Sequence, residues 1–164
     1  MSFEEIKIED MNLSFPKAIS AGAILCAGDI DNWNGMTIGW GNIGNLWGKD
    51  VVIVYVRPQR YTYEFMEKND EFSVNFFSKD YKEAIKIFGS KSGRDTDKAK
   101  EANISAFAID KTVGFNEADI IIKCRKIAYQ DMDSKGFVDT SLDKWYSGDY
   151  HRVYIGEIEK ILRK

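Results

Sequence analysis

Two stretches of this chain carry residue types suited to holding a flat molecule that bears a phosphate. The first is Asn34-Gly35-Met36-Thr37-Ile38-Gly39-Trp40-Gly41, and the second is Val56-Arg57-Pro58-Gln59-Arg60-Tyr61-Thr62. The first reads as a strand end with small side chains, where bare backbone can lie against a planar ring. The second reads as an arginine-bearing turn: Pro58 stops a strand, and Thr62 stands where it could cap the following helix. A helix start leaves backbone N–H groups unpaired. Two permanently charged guanidinium groups beside it add the forked donors that suit a phosphate monoester. The ordinary alternative is that Arg57 and Arg60 are solvated and pair with Glu64 or Glu67.

The glycine stretch also satisfies a second pattern, since Gly39-Trp40-Gly41-Asn42-Ile43-Gly44 reads G-x-G-x-x-G. That fingerprint binds dinucleotides only where the glycines end a strand and open a helix. Here Asn45-Leu46-Trp47-Gly48-Lys49-Asp50 follows as a turn-like linker, and then the β-branched run Val51-Val52-Ile53-Val54-Tyr55-Val56. Strand, turn, strand is the wrong context. Glu64 stands where a ribose-binding acid would be sought, but it falls in a predicted helix.

Further polar candidates lie downstream. Ser92-Gly93-Arg94-Asp95-Thr96-Asp97-Lys98 offers hydroxyls, a flexible glycine and cations, which suit a phosphate and equally a solvated loop. Asn75 places an amide inside the apolar run Phe72 to Phe76, where burial obliges it to find partners in the backbone or in a ligand. His151 follows Gly148-Asp149-Tyr150 at the start of the last strand, where it could touch a substrate or be structural. It is the only histidine, and with two cysteines at positions 26 and 124 it makes no metal cluster. Ser147, Asp149 and His151 crowd within five positions, a spacing that seldom gives triad geometry.

The elements that must hold these residues are mostly strands. Ala21 to Gly28, Gly35 to Trp40, Val51 to Val56 and Glu71 to Phe77 read as early strands, and Ala106 to Gly114, Ala118 to Asp131 and Arg152 to Leu162 as late ones. Thr62 to Lys68 and Asp80 to Phe88 have helical spacing, the second with Asp80 and Glu83 as a variant capping box. Six or seven strands with few helices predict a mainly β, α+β antiparallel barrel in a single domain over 1–164. A net charge of −3 gives nucleic acid or an anionic membrane no field to follow. The acidic start Met1-Ser2-Phe3-Glu4-Glu5 is not a signal peptide, no run is long enough to span a membrane, and the cysteines read as buried free thiols, so a cytoplasmic location is expected. Four tryptophans, three near the glycine stretch, suit a shallow ring site, a dimer interface or an ordinary core.

Taken in order, the motifs at 34–40, 56–62, 71–76 and 92–98, with Gly148-Asp149-Tyr150-His151 and Ile155-Gly156-Glu157-Ile158, resemble the flavin reductase-like, flavoredoxin-type family across nearly the whole chain. The resemblance implies a split β-barrel that binds FMN noncovalently and forms homodimers. It also implies flavin reduction by NADH or NADPH, or else electron carriage between FMN and another redox protein or a partner oxygenase. By this resemblance Met36, Thr37 and Ile38, flanked by Asn34 and Gly39, would line the isoalloxazine. Arg57, Gln59, Arg60 and Thr62 would take the phosphate, Ser92, Arg94 and Lys98 would close over the ligand, and Asn75 joins the cofactor set. The flavin itself would carry the redox chemistry, so no strong catalytic constellation is expected. Reductases of two-component monooxygenases read Gly-Asp-His where this chain reads Gly148-Asp149-Tyr150-His151. A shift of one position in a strand reverses the side-chain face, which bears on whether His151 meets a nicotinamide.

Overall fold

A computed structural model describes residues 2–164. Its elements in chain order are β1 (Glu4–Ile6), α1 (Phe15–Ala21), β2 (Ala23–Asp29), β3 (Asn32–Ile38), β4 (Gly41–Leu46), β5 (Lys49–Val56), α2 (Tyr61–Lys68) and β6 (Glu71–Phe76). There follow α3 (Lys82–Ser90), α4 (Lys98–Ala102), β7 (Ala106–Ile109), β8 (Thr112–Phe115), β9 (Ile120–Asp131) and β10 (Arg152–Arg163).

Every strand pairing is antiparallel. The main sheet runs β3-β2-β6-β9-β10-β5-β4, with β1 added to β10, and β7 and β8 form a separate hairpin. The sheet does not close. Its two ends, β3 and β4, are consecutive in the chain and joined only through Gly39 and Trp40, so the split falls within the glycine stretch.

Alternation along β2 explains why it reads as one apolar run. Leu25 and Ala27 face an inner core with Val52, Val54, Phe72, Val74, Ile122 and Tyr154. Ile24 and Cys26 face a second core under α3, α4 and the β7–β8 hairpin. A strand buried on both faces loses its polar alternation. Both cysteines are buried free thiols.

Several elements differ from the sequence-based expectation. Gly41–Leu46 is a strand, and the expected linker over Asn45 to Asp50 shrinks to Trp47-Gly48, with φ of 56° and 71°. Two consecutive positive φ values make the tight hairpin turn that matches strand twist. The run Ala106 to Gly114 is two strands folded at Asp110, whose φ is 51°. Phe15–Ala21 and Lys98–Ala102 are helices that went unread. Ten strands stand among the described residues where six or seven were expected. The Asp80 capping box does not form: Ser78 caps a short 3-10 turn at Lys79–Tyr81, and α3 starts at Lys82 with no side-chain cap.

Candidate functional site

The site lies where the open edge of β3 meets the start of α2, the end of α3 and the loop before α4. Pro58 cannot continue β5, and the chain turns through Arg57–Arg60, closed by an Arg60 N–H bond to the Arg57 carbonyl at 3.0 Å. Arg60 is the N-cap of α2 and gives no side-chain cap. Thr62 is therefore inside the helix rather than capping it. It is 1% exposed, and its hydroxyl oxygen accepts from Asn34 Nδ2 at 2.7 Å, which leaves its own proton free to donate.

α3 lies close on β3. Thr37 Oγ1 donates to the Ile85 carbonyl, and a Cβ at Gly89 would stand 3.4 Å from Thr37 Cβ. Arg60 Nη2 donates to the Gly89 carbonyl at 3.3 Å, a cation placed on a helix C-terminus where the dipole favours it.

Two adjoining compartments result. The cationic one, about 190 Å³, is lined by Asn34, Met36, Gln59, Arg60, Tyr61, Thr62 and the loop Ser90–Arg94, with Phe88 and Lys98. The aromatic one, about 160 Å³, is lined by Met36, Thr37, Ile38, Gly39, Trp40, Tyr55, Arg57, Arg60 and His151. Met36 and Arg60 line both, so the two compartments sit side by side along β3.

In the cationic compartment Lys98 is 6% exposed, donates through Nζ to the Gly35 carbonyl, and sits 5.0 Å from the Phe88 ring centre. Burial, with the neighbouring Arg60 charge adding to it, lowers its ammonium pKa to about 8. Arg94 lies 4.4 Å over the Tyr61 ring and pairs with Glu64. That pair is half exposed on both sides and exchanges at little cost. Ser92 Oγ accepts from the Arg94 N–H.

The aromatic compartment is walled by the segment 132–151 between β9 and β10. Asp149 takes bonds from the Ser147 N–H at 2.8 Å, Arg57 Nη1 at 2.5 Å and Gln59 Nε2 at 2.6 Å, in that order of effect holding its carboxyl well below the usual carboxylate range. Arg57 also donates to the Trp145 carbonyl at 2.7 Å and lies 5.0 Å over the Tyr146 ring. Trp40 meets Trp145 edge to face at 5.8 Å. His151 is 7% exposed and bonds through Nδ1 to the Tyr146 hydroxyl at 2.9 Å. Burial first, then the Arg57 charge, lower its pKa to about 4, so the ring is neutral at pH 7. Ser147, Asp149 and His151 do not form a triad, because the Asp149 carboxylate is bound to Arg57 and Gln59 while the imidazole is bound to Tyr146.

Of the residues singled out from sequence, Asn34, Met36, Gln59, Arg60, Thr62, Ser92, Arg94 and Lys98 meet in the cationic compartment, and Met36, Thr37, Ile38, Gly39, Arg57 and His151 in the aromatic one. Arg57, expected beside the phosphate with Arg60, lines the aromatic compartment and not the cationic one. Asn75 lines neither compartment. It donates to the Ile24 carbonyl at 3.1 Å and to Ser73 Oγ at 2.9 Å within the second core. His151 faces the groove despite its shifted motif, since it precedes β10 and is not held to that strand's alternation. Tyr55, Phe88 and Tyr146 were not expected as site residues, while Trp40 stood in the glycine stretch and Asp149 in the 148–151 motif without an assigned contact. Tyr55 had a signal of its own, two positions before Arg57 and so on the same side of an extended chain.

A model of the flavin reductase like domain matches residues 17–163. The chain belongs to that family. Solved structures agree on the fold. Flavoredoxin from Methanosarcina acetivorans is 22% identical with a TM-score of 0.68, covering 98% of this chain and 76% of its own. An FMN-binding domain of a flavin reductases-like enzyme from Shewanella baltica is 14% identical with a TM-score of 0.69, covering 99% and 77%. A nitrilotriacetate monooxygenase component B homologue from Mycobacterium thermoresistibile is 17% identical with a TM-score of 0.67, covering 92% and 75%. No curated protein matches the chain. The family sheet is thus this open antiparallel one, split between β3 and β4.

Proposed function

We propose that this family member binds FMN in the two-compartment groove and reduces flavin with NADH or NADPH by hydride transfer. The observation that carries the reading is adjacency: a cation-lined compartment lies beside an aromatic-lined strand edge, with Arg60 and Met36 lining both. The donor set fits a phosphorylated planar cofactor. Arg60, Arg94, Lys98, Ser92 and the Thr62 hydroxyl would hold the phosphate, and Met36, Thr37, Ile38 and Gly39 would offer bare strand edge to the ring. At Gly39 a Cβ would meet only the Ile19 carbonyl, at 4.0 Å, so the glycine leaves this edge uncovered. Bound FMN supplies the two-electron chemistry, and the protein orients it and excludes water. Hydride transfer needs a nicotinamide stacked on an open ring face, so the chain requires no strong acid or base of its own.

A second reading is a flavoredoxin-like carrier that holds FMN but ignores pyridine nucleotides. Trp40 and His151 narrow the aromatic compartment, braced from behind by Trp145 and Tyr146, which favours it by restricting a second planar ligand. Mixing protein, FMN and either nucleotide while following nicotinamide absorbance separates the two. Oxidation well above the protein-free rate supports the reductase, and oxidation at background supports the carrier.

The remaining assignments follow the same reading. A homodimer would cover Trp47, Leu142 and Trp145, which are 65%, 42% and 53% exposed. A redox protein or oxygenase would take the electrons, with neither nucleic acid nor membrane as partner. Two buried free thiols suit a reducing cytoplasm. Among the described residues no helix is long and apolar enough to cross a membrane.

A further inference from the structure

We infer that Tyr146 is a positioning residue: its hydroxyl fixes His151 as the neutral tautomer with the proton on Nε2, and so presents a single N–H donor to the ring end of the groove. The choice of flavin ring as acceptor rests on the FMN reading; the tautomer does not.

The geometry carries the argument. The Tyr146 hydroxyl lies 2.9 Å from His151 Nδ1 and 3.8 Å from Met132 Sδ. The phenol has one proton to give. A thioether is a weak acceptor and an imidazole nitrogen a strong one, so the proton goes to Nδ1, and the imidazole proton stays on Nε2. Nε2 makes no hydrogen bond among the described residues. It is not enclosed either: Asn75 Oδ1 is the one enclosed side-chain nitrogen or oxygen without a partner among the described residues. Since His151 lines the aromatic compartment, its free Nε2–H opens there.

The surroundings hold both groups in these forms. Tyr55 and Arg57 reach the imidazole from β5 and its end, Asp149 and Tyr146 from the segment 132–151, and Arg60 from the start of α2, with the Trp40 ring tilted against it at 5.2 Å. Two guanidinium groups oppose a third cation, outweighing Asp149, whose carboxylate is already bound to Arg57. Burial raises the Tyr146 pKa, so the phenol keeps its proton. A fixed neutral donor at the ring end would favour whichever ring state carries more negative charge at that edge, at every pH where flavin chemistry runs.

Histidine occurs once, so protein labelled with 15N-histidine reports on His151 alone. In the wild type we expect a protonated-type Nε2 signal and an unprotonated-type Nδ1 signal, unchanged from pH 8 to 5 and titrating near 4. Tyr146→Phe should mix the two tautomers, which a purely structural hydroxyl would not do, while the midpoint stays near 4 because burial and the Arg57 and Arg60 charges that set it remain. FMN, its uptake confirmed by flavin fluorescence, should shift Nε2 more than Nδ1. A wild type dominated by the Nδ1–H tautomer overturns the inference, and that measurement needs no variant to fold. Bound FMN that leaves Nε2 unmoved overturns the donor role. FMN that fails to bind contradicts the flavin reading instead, while the tautomer ratio still decides the Tyr146–His151 pair.

Discussion

Asp149 ties the β9–β10 segment to the turn after β5: its Oδ2 lies 2.5 Å from Arg57 Nη1, across 92 positions of sequence. Gln59 joins the same oxygen at 2.6 Å. One carboxylate thus keeps Arg57 in the aromatic compartment and leaves Arg60 as the arginine shared with the cationic one.

Asp149→Asn should release that tie. The expected result is faster limited proteolysis within 133–149, severalfold over wild type, with unchanged far-UV circular dichroism. In the wild type the carboxyl is held below its ordinary range, so the tie contributes above pH 3.8 and is lost only as pH falls through its lower folded value. Equal cleavage rates at pH 7 would mean that the segment is held by its aromatic packing instead.

The two arginines should separate by ligand. Arg60→Ala removes a charged donor next to the phosphate and should weaken FMN by about tenfold to a hundredfold, while riboflavin, which lacks the phosphate, loses much less. Arg57→Ala should affect both flavins alike. Isothermal titration with each ligand measures the split, and a phosphate-specific loss in Arg57→Ala would return that residue to the phosphate end.

Lys98 makes binding sensitive to alkali. Its pKa of about 8 means that the free protein loses this charge as pH rises from about 7 to about 9, and a phosphate prefers the charged form. FMN affinity should therefore fall across that window, and the slope should flatten in Lys98→Met. The stability sign is opposite. A lysine whose folded pKa is depressed binds fewer protons folded than unfolded between 8 and 10.5, so its contribution to apoprotein stability rises with pH there. Thermal melts of both proteins from pH 7 to 10 read it.

His151 sets the acid limb. With a folded pKa near 4 against 6.5 unfolded, the unfolded chain binds more protons between those values, so stability falls as pH drops from 6.5 to 4. Urea denaturation should read a difference of roughly 3 kcal/mol across that range. His151→Asn should lack this slope.

Gly156→Ala should destabilise without touching the groove. The pairing register of β9 and β10 shifts at Ile155 and Gly156, and a Cβ there would lie 2.4 Å from Phe72 Cζ and 2.8 Å from Cys124 Cβ. Overpacking of this kind costs roughly 1–3 kcal/mol. Denaturant midpoints would show it, with FMN affinity of the folded fraction unchanged.

The sequence was most legible where local chemistry alone decides the outcome. Pro58 had to end β5, and the β-branched run 51–56 had to be a strand. The G-x-G-x-x-G letters lacked a following helix, and β4 occupies that place. It was least legible where two distant segments meet. Trp47, a bulky residue at positive φ, hid a two-residue hairpin inside what reads as a linker. Arg57 and Arg60 looked equivalent because their separation depends on Asp149, which no local pattern ties to position 57. Asn75 looked like a ligand residue because an amide in an apolar strand signals only that partners exist. Those partners are the Ile24 carbonyl and Ser73.

The most direct test of the account is an FMN titration of the purified protein, followed by flavin fluorescence. The account predicts saturable uptake of one FMN per chain, weakened by Arg60→Ala far more than riboflavin uptake is. A protein that is colourless when purified and takes up no added FMN would contradict it.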